Sequence, residues 1–155
     1  YEDVRSSHKQ DGGQNMKIDR IHHICIAVED VDKVVPLYEK VLGARVENIR
    51  EVPGSHKVAF LSLPGSPPLE IVQLLSPLSS RTPRTLPLTR FVAEKGYGLF
   101  HLAFHVESLD EAIAEARGEG AEFIQKEPVT TPSGEREIML EPEGLAGVMI
   151  QIVGK

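Results

Sequence analysis

The chain has 155 residues, 41% of them hydrophobic, with a formal net charge of −6, a single cysteine and no tryptophan. One cysteine excludes an internal disulfide framework and fits a reducing compartment, and no apolar run approaches the roughly 18 residues of a membrane span. An acidic chain with only 5% aromatic residues is not built to grip nucleic acid, so the expectation is a soluble, cytoplasmic protein without membrane or nucleic-acid partners.

Residues 1–15 are polar, carry Gly12 and Gly13 and show no periodicity, which predicts a flexible leader ahead of Met16. The remainder, 16–155, reads as one domain. From Arg20 to Val28 the chain is dense in Ile and Val, as in a strand covered on both faces. Period two sets Ile24, Ile26 and Val28 on one face and His23, Cys25 and Ala27 on the other. His22 falls on the face opposite His23, the helix side. Asp30 can cap a helix that offers Val34, Val35, Leu37, Tyr38, Val41 and Leu42 for burial and ends at Gly43. Pro36 removes a donor inside it, predicting an irregular first turn or a late start. Strands follow at 45–51, 58–63 and 69–75, broken by Pro53-Gly54 and Gly65-Ser-Pro-Pro68. A linker at 78–96 holds a short helix at 88–94. Another strand spans 99–106, and the capping box Ser108-Leu-Asp-Glu111 opens a helix that stops at Gly118 and Gly120. Strands at 122–125, 136–140 and 148–153 complete the chain, with Thr131-Pro-Ser-Gly134 as a turn.

The two halves repeat. An offset of 78 pairs His23 with His101, Val28 with Val106, Glu29 with Glu107, Asp32 with Asp110, Pro64 with Pro142 and Gln73 with Gln151. Each half, 18–77 and 97–155, has the order β-α-β-β-β, an α+β pattern of small mixed sheets with helices on one face. If the halves pair about a twofold axis, His23, Gln73, His101 and Gln151 converge from four strands. Imidazole nitrogens with amide oxygens suit a divalent ion such as Co, Ni, Mn or Zn; satisfied core or surface polar groups are the alternative from spacing alone.

Several stretches also resemble a known family. His23-Ile-Cys-Ile-Ala-Val-Glu-Asp30, Leu37-Tyr-Glu-Lys-Val-Leu-Gly43, Gln73-Leu-Leu-Ser-Pro77, Gly98-Leu-Phe-His-Leu-Ala-Phe-His-Val106 and Pro142-Glu-Gly-Leu-Ala-Gly-Val-Met-Ile-Gln151 are similar to methylmalonyl-CoA epimerases. These belong to the vicinal oxygen chelate superfamily, beside glyoxalase I and extradiol dioxygenases. The resemblance runs from about Met16 to the C-terminus. It implies paired βαβββ modules forming a cupped mixed sheet, with helices on its outer face, around one divalent metal held by His23, Gln73, His101 and Gln151. The pattern departs from the family at Gln151, where epimerases typically carry a glutamate, and at Val58, where some members carry a second carboxylate. Glu141-Pro-Glu143 stands where the family has a basic residue.

Epimerisation next to a thioester needs a base, an acid on the opposite face and an electrophile for the enolate. With the family carboxylates absent from those columns, His105 is the candidate replacement. It shares a strand face with His101, and imidazole is a side chain suited to proton transfer at neutral pH, with a solvent-facing or packed histidine as the alternative. Arg136 is a candidate anion clamp, with a surface arginine as the alternative. Glu70, three residues from Gln73, falls on the opposite strand face. Cys25 reads as a small buried hydrophobe. The leading expectation is a metal-dependent isomerase or lyase-like enzyme that stabilises an enolate of a small carbonyl or acyl-CoA compound and works as a homodimer. Two alternatives stand beside it. One is a non-catalytic binding or resistance protein of the same fold. The other is a glyoxalase I-like lyase or an extradiol-type dioxygenase, against which the amide at Gln151 counts.

Overall fold

The computed structural model describes residues 16–155, and the expected leader lies outside the described residues. Eight strands form one curled mixed sheet in the order β2-β3-β4-β1-β5-β8-β7-β6. The first half supplies β1 (Ile18–Val28), α1 (Val31–Leu42), β2 (Arg45–Val52), β3 (His56–Ser62) and β4 (Leu69–Leu74). After α2 (Leu86–Lys95), the second half supplies β5 (Gly98–Val106), α3 (Leu109–Gly118), β6 (Val129–Thr130), β7 (Arg136–Met139) and β8 (Ile150–Gly154). Strand order in one half is the reverse of that in the other, so the antiparallel β1–β5 seam carries an internal twofold axis. β4 joins β1 and β8 joins β5 in parallel.

Alternation along the strands divides the core. On the outer face Val31 and Val35 of α1 pack on Ala59, Leu61 and Ile71, while Leu109, Ala112 and Ile113 of α3 pack on Ile138 and Ile152. The inner face carries a third cluster, with Cys25, Ala27, Val58, Val72, Phe100, Met139 and Met149. Leu88 and Phe91 of α2 join that inner cluster. The linker helix therefore lies on the cup side, unlike α1 and α3, because it stands outside both repeats and is not constrained by their crossover.

Helix α1 starts at Val31, directly after its cap, despite Pro36. Two acceptors hold its first turn. Asp30 accepts from the amides of Asp32 and Lys33, and the Gln73 Oε1 accepts from Val31 N at 3.1 Å. These bonds satisfy the free amides of the helix start, which offsets the donor lost at Pro36. Gly43 closes the helix with φ 66°, a left-handed conformation that glycine adopts without steric cost.

The strand expected at 122–125 is a single bridge, Phe123 to Leu140. The ladder stops because the Gln125 side chain, rather than the backbone, accepts from Met139 N at 2.9 Å. The two-residue β6 takes the edge position instead.

The repeat is offset unevenly. Ile24 pairs with Leu69, and its mate Leu102 pairs with Ile150. Positions 24 and 102 differ by 78, whereas 69 and 150 differ by 81. The second half thus holds three extra residues between its first and last strands. An odd slip exchanges the two faces of a strand, and this decides which side chains enter the cup.

Candidate active site

The curled sheet encloses a cavity of about 630 Å³, within the range of small-molecule sites. At its floor, on the twofold seam, the Nε2 atoms of His23 and His101 face each other at 2.9 Å with their rings inclined at 69°. The two residues are only 4% and 5% exposed. Burial pushes the His23 pKa down to about 3, aided by the neighbouring His22, and burial with His23 beside it holds His101 well below its ordinary value. Both rings are therefore neutral near pH 7 and offer lone pairs. His22 fixes His23 from behind, with its Nδ1 2.8 Å from the His23 Nδ1.

Beside this pair Gln151 is 6% exposed, and its Oε1 has no hydrogen-bond partner among the described residues. An unmade bond at a buried acceptor costs about 1–3 kcal/mol, so the orphaned oxygen is an invitation to a ligand. Glu70 comes from the other half, with its Oε2 3.6 Å from His23 Nε2. Burial raises its pKa to about 7, reinforced by the charge of Glu137 and opposed by Arg50. Glu137 also lines the cavity, and burial raises its pKa while Arg84 lowers it. Arg20, Arg50 and Arg84 line the same cavity. The Arg50 guanidinium lies over Phe60 at 5.8 Å, and Arg84 donates to the Thr130 carbonyl at 2.7 Å.

Residues 22–138 match the model of the glyoxalase/bleomycin resistance protein/dioxygenase superfamily. The chain belongs to this superfamily. It is 28% identical to the mitochondrial methylmalonyl-CoA epimerase of Mus musculus, over 92% of this chain and 77% of that protein. A Mycobacterium tuberculosis methylmalonyl-CoA epimerase shares the fold with a TM-score of 0.75 at 23% identity, covering 95% of each chain. A variant of the Streptomyces coelicolor methylmalonyl-CoA epimerase, in complex with 2-nitronate-propionyl-CoA, aligns with a TM-score of 0.69 at 26% identity. That alignment covers 90% of this chain and 99% of the other.

Within this superfamily chain, the cup brings together His23, His101 and Gln151 and leaves out three other expected residues. Gln73 lies on the helix side, bound to Val31 N, because the three-residue slip reverses its face. Glu70 is the structural mate of Gln151, since it pairs with Cys25 as Gln151 pairs with Ala103. The rule that adjacent parity separates Glu70 from Gln73 was sufficient to find it, once the repeat offset is allowed to change. His105 sits four residues, about 13 Å, along the strand from His101. Its Nδ1 lies 2.9 Å from the Asp19 carboxylate and 3.1 Å from the Arg20 guanidinium rather than in the cup. Arg136 forms a two-point ion pair with Asp110, at the start of α3, at 2.8 and 3.0 Å. Its neighbour Glu137 takes the inward position. His22, expected on the helix side, lines the cavity because the β1–β5 register shifts between Ile21 and His23. Cys25 is buried as expected, and burial pushes its thiol pKa up.

The donors suit a divalent metal. The 2.9 Å between the two Nε2 atoms is close to the ~3 Å that separates adjacent ligands held ~2.0–2.1 Å from one ion. The orphaned Gln151 oxygen is a third donor of the hard type. Among the described residues no three His, Cys, Asp or Glu side chains form a metal-binding group, so the amide is needed to complete the set, with Glu70 standing at its edge.

Proposed function

We propose that the chain is a divalent-metal-supported epimerase of an α-substituted acyl-CoA, similar in chemistry to the methylmalonyl-CoA epimerases it resembles. The observation that carries this reading is the joining of two facing neutral imidazoles and an orphaned amide oxygen, in one apolar cup, to a buried carboxylate that titrates near neutrality. His23, His101 and Gln151 would hold Co, Ni, Mn or Zn, which supplies Lewis-acid polarisation of a thioester carbonyl when bound. Val58, Val72, Phe100 and Met139 keep water from the reacting carbon and keep both imidazoles neutral. Glu70, with a pKa of about 7, carries or accepts a proton with little driving force lost at neutral pH. Arg50 and Arg84 offer positive charge to the carboxylate or phosphates of such a substrate.

The test is solvent exchange. Metal-stripped protein reloaded with Co²⁺ should bring deuterium from D₂O into the α-position of methylmalonyl-CoA, and the stripped protein should not. Absence of exchange with all four metals would sink the reading. A second reading has one specific observation behind it. The Glu70 carboxylate lies 3.6 Å from His23 Nε2, at the edge of the histidine pair, and two histidines with a carboxylate are the donor types used by non-haem iron oxygenases. Oxygen uptake with a catechol and ferrous iron, in the absence of α-proton exchange, would favour that chemistry instead.

A further inference from the structure

The internal twofold relates backbone positions whose side chains differ. Val58 pairs with Val72, and Glu137 pairs with Val153. Positions 72 and 153 differ by 81, the same offset that relates Glu70 to Gln151. Val58 and Glu137 are therefore mates, as are Glu70 and Gln151. The seam histidines match across the axis, but Glu70 and Glu137, the two most buried of the three glutamates that line the cavity, do not. Glu70 belongs to β4 in the first half and Glu137 to β7 in the second, so they stand on opposite sides of the seam. Val58 is 6% exposed and lines the cavity, and its side chain has no group that can move a proton.

Glu137 has no structural task. Its side chain makes no hydrogen bond or ion pair among the described residues, unlike that of its neighbour Arg136, which is tied to Asp110. A carboxylate left unpaired in a partly apolar wall is costly, and burial accordingly raises its pKa. Glu137 and Glu70 line one cavity.

We propose that Glu137 is the acid/base residue of the second wall of the cup, working on the face of the substrate's α-carbon opposite the one served by Glu70. The inference rests on the epimerase reading above. In one direction the Glu137 carboxylate takes the α-proton, and the C–H electron pair moves into an enolate with its charge on the thioester oxygen. A proton from Glu70 then adds to the other face of the carbon, and the thioester is restored. Glu137 ends protonated and Glu70 ionised, and proton exchange with water resets both. The opposite diastereomer runs the same sequence with the roles exchanged.

The experiment gives each diastereomer of methylmalonyl-CoA separately to the Co²⁺-loaded protein in D₂O and follows both epimerisation and α-deuterium uptake. Glu137→Gln should slow epimerisation by about 10²–10⁴-fold. It should abolish deuterium uptake from one diastereomer and retain it with the other, whose proton faces Glu70. Glu137→Asp keeps a carboxylate one methylene back and should lose less. It also guards against a folding defect in the amide variant, and thermal midpoints of all three proteins are compared. Epimerisation by Glu137→Gln within about threefold of the parent, or equal loss of uptake from both diastereomers, overturns the proposal. A parent protein that epimerises while Glu137→Gln matches it removes this proposal alone. A parent that exchanges neither diastereomer removes the epimerase reading and the proposal with it.

Discussion

Glu70 sits where charge is disfavoured, and that has a measurable sign. Its carboxyl titrates at about 7 when folded against 4.5 as a free side chain. Below pH 4.5 both folded and unfolded chains hold the proton, so the group contributes nothing. Between 4.5 and about 7 the unfolded chain has released it and the folded chain has not. Stability therefore falls as pH rises through this window and stays lower above it, by on the order of 3 kcal/mol. His23 acts in the other direction, because its folded pKa of about 3 lies below the ordinary 6.5, and stability falls as pH drops through that interval. Glu70→Gln removes only the first effect. In the presence of a chelator, urea unfolding should find the variant more stable than the parent at about pH 8 and equal to it at about pH 4. Equal stability at both values would mean that Glu70 is not buried as described.

At the scale of elements, the fold was largely legible in the sequence because its signals are local. Period-two runs gave seven of the strands their approximate places, Asp30 and Ser108 announced the starts of α1 and α3, and Gly43 announced a helix end. Seam histidines were legible for the same reason. The face of β4 was not, because it depends on pairing with β1 and on a three-residue insertion that no local pattern marks. A register shift moved His22 inward in the same way, and an amide side chain replaced the ladder at 122–125. Gln73 and Gln151, alike by a constant offset, thus have separate tasks. Gln73→Ala should cost about 1 kcal/mol of stability through the lost cap on Val31 N and leave Co²⁺ affinity unchanged. Gln151→Ala should weaken Co²⁺ binding by at least about tenfold. Titration of the metal by calorimetry alongside thermal melts checks both, and loss of metal affinity at Gln73→Ala would restore the constant-offset assignment.

At the scale of the molecule, the two halves meet along β1 and β5, and the candidate ligands come from both sides of that seam. An ion held by His23 from one half and by His101 and Gln151 from the other binds only the assembled pair. Ligand binding to the native state alone stabilises by about 2.7 kcal/mol at 100 times the dissociation constant. Added Co²⁺ should therefore raise the thermal midpoint, and a chelator should reverse the rise. A midpoint indifferent to Co²⁺, Ni²⁺, Mn²⁺ and Zn²⁺ would argue that no ion bridges the seam.

The uneven twofold has a consequence for how related chains are compared. A column-by-column alignment scores Val58 and Gln151 as losses of acidic function, yet Glu137 and Glu70 occupy their rotational equivalents. A duplicated scaffold gives evolution two addresses for every functional group, and a substrate turned end for end meets the same chemistry at the second address. A chain that lacks a carboxylate at one address can carry one at the other, and a comparison that rotates one half onto its partner before scoring will separate losses from relocations.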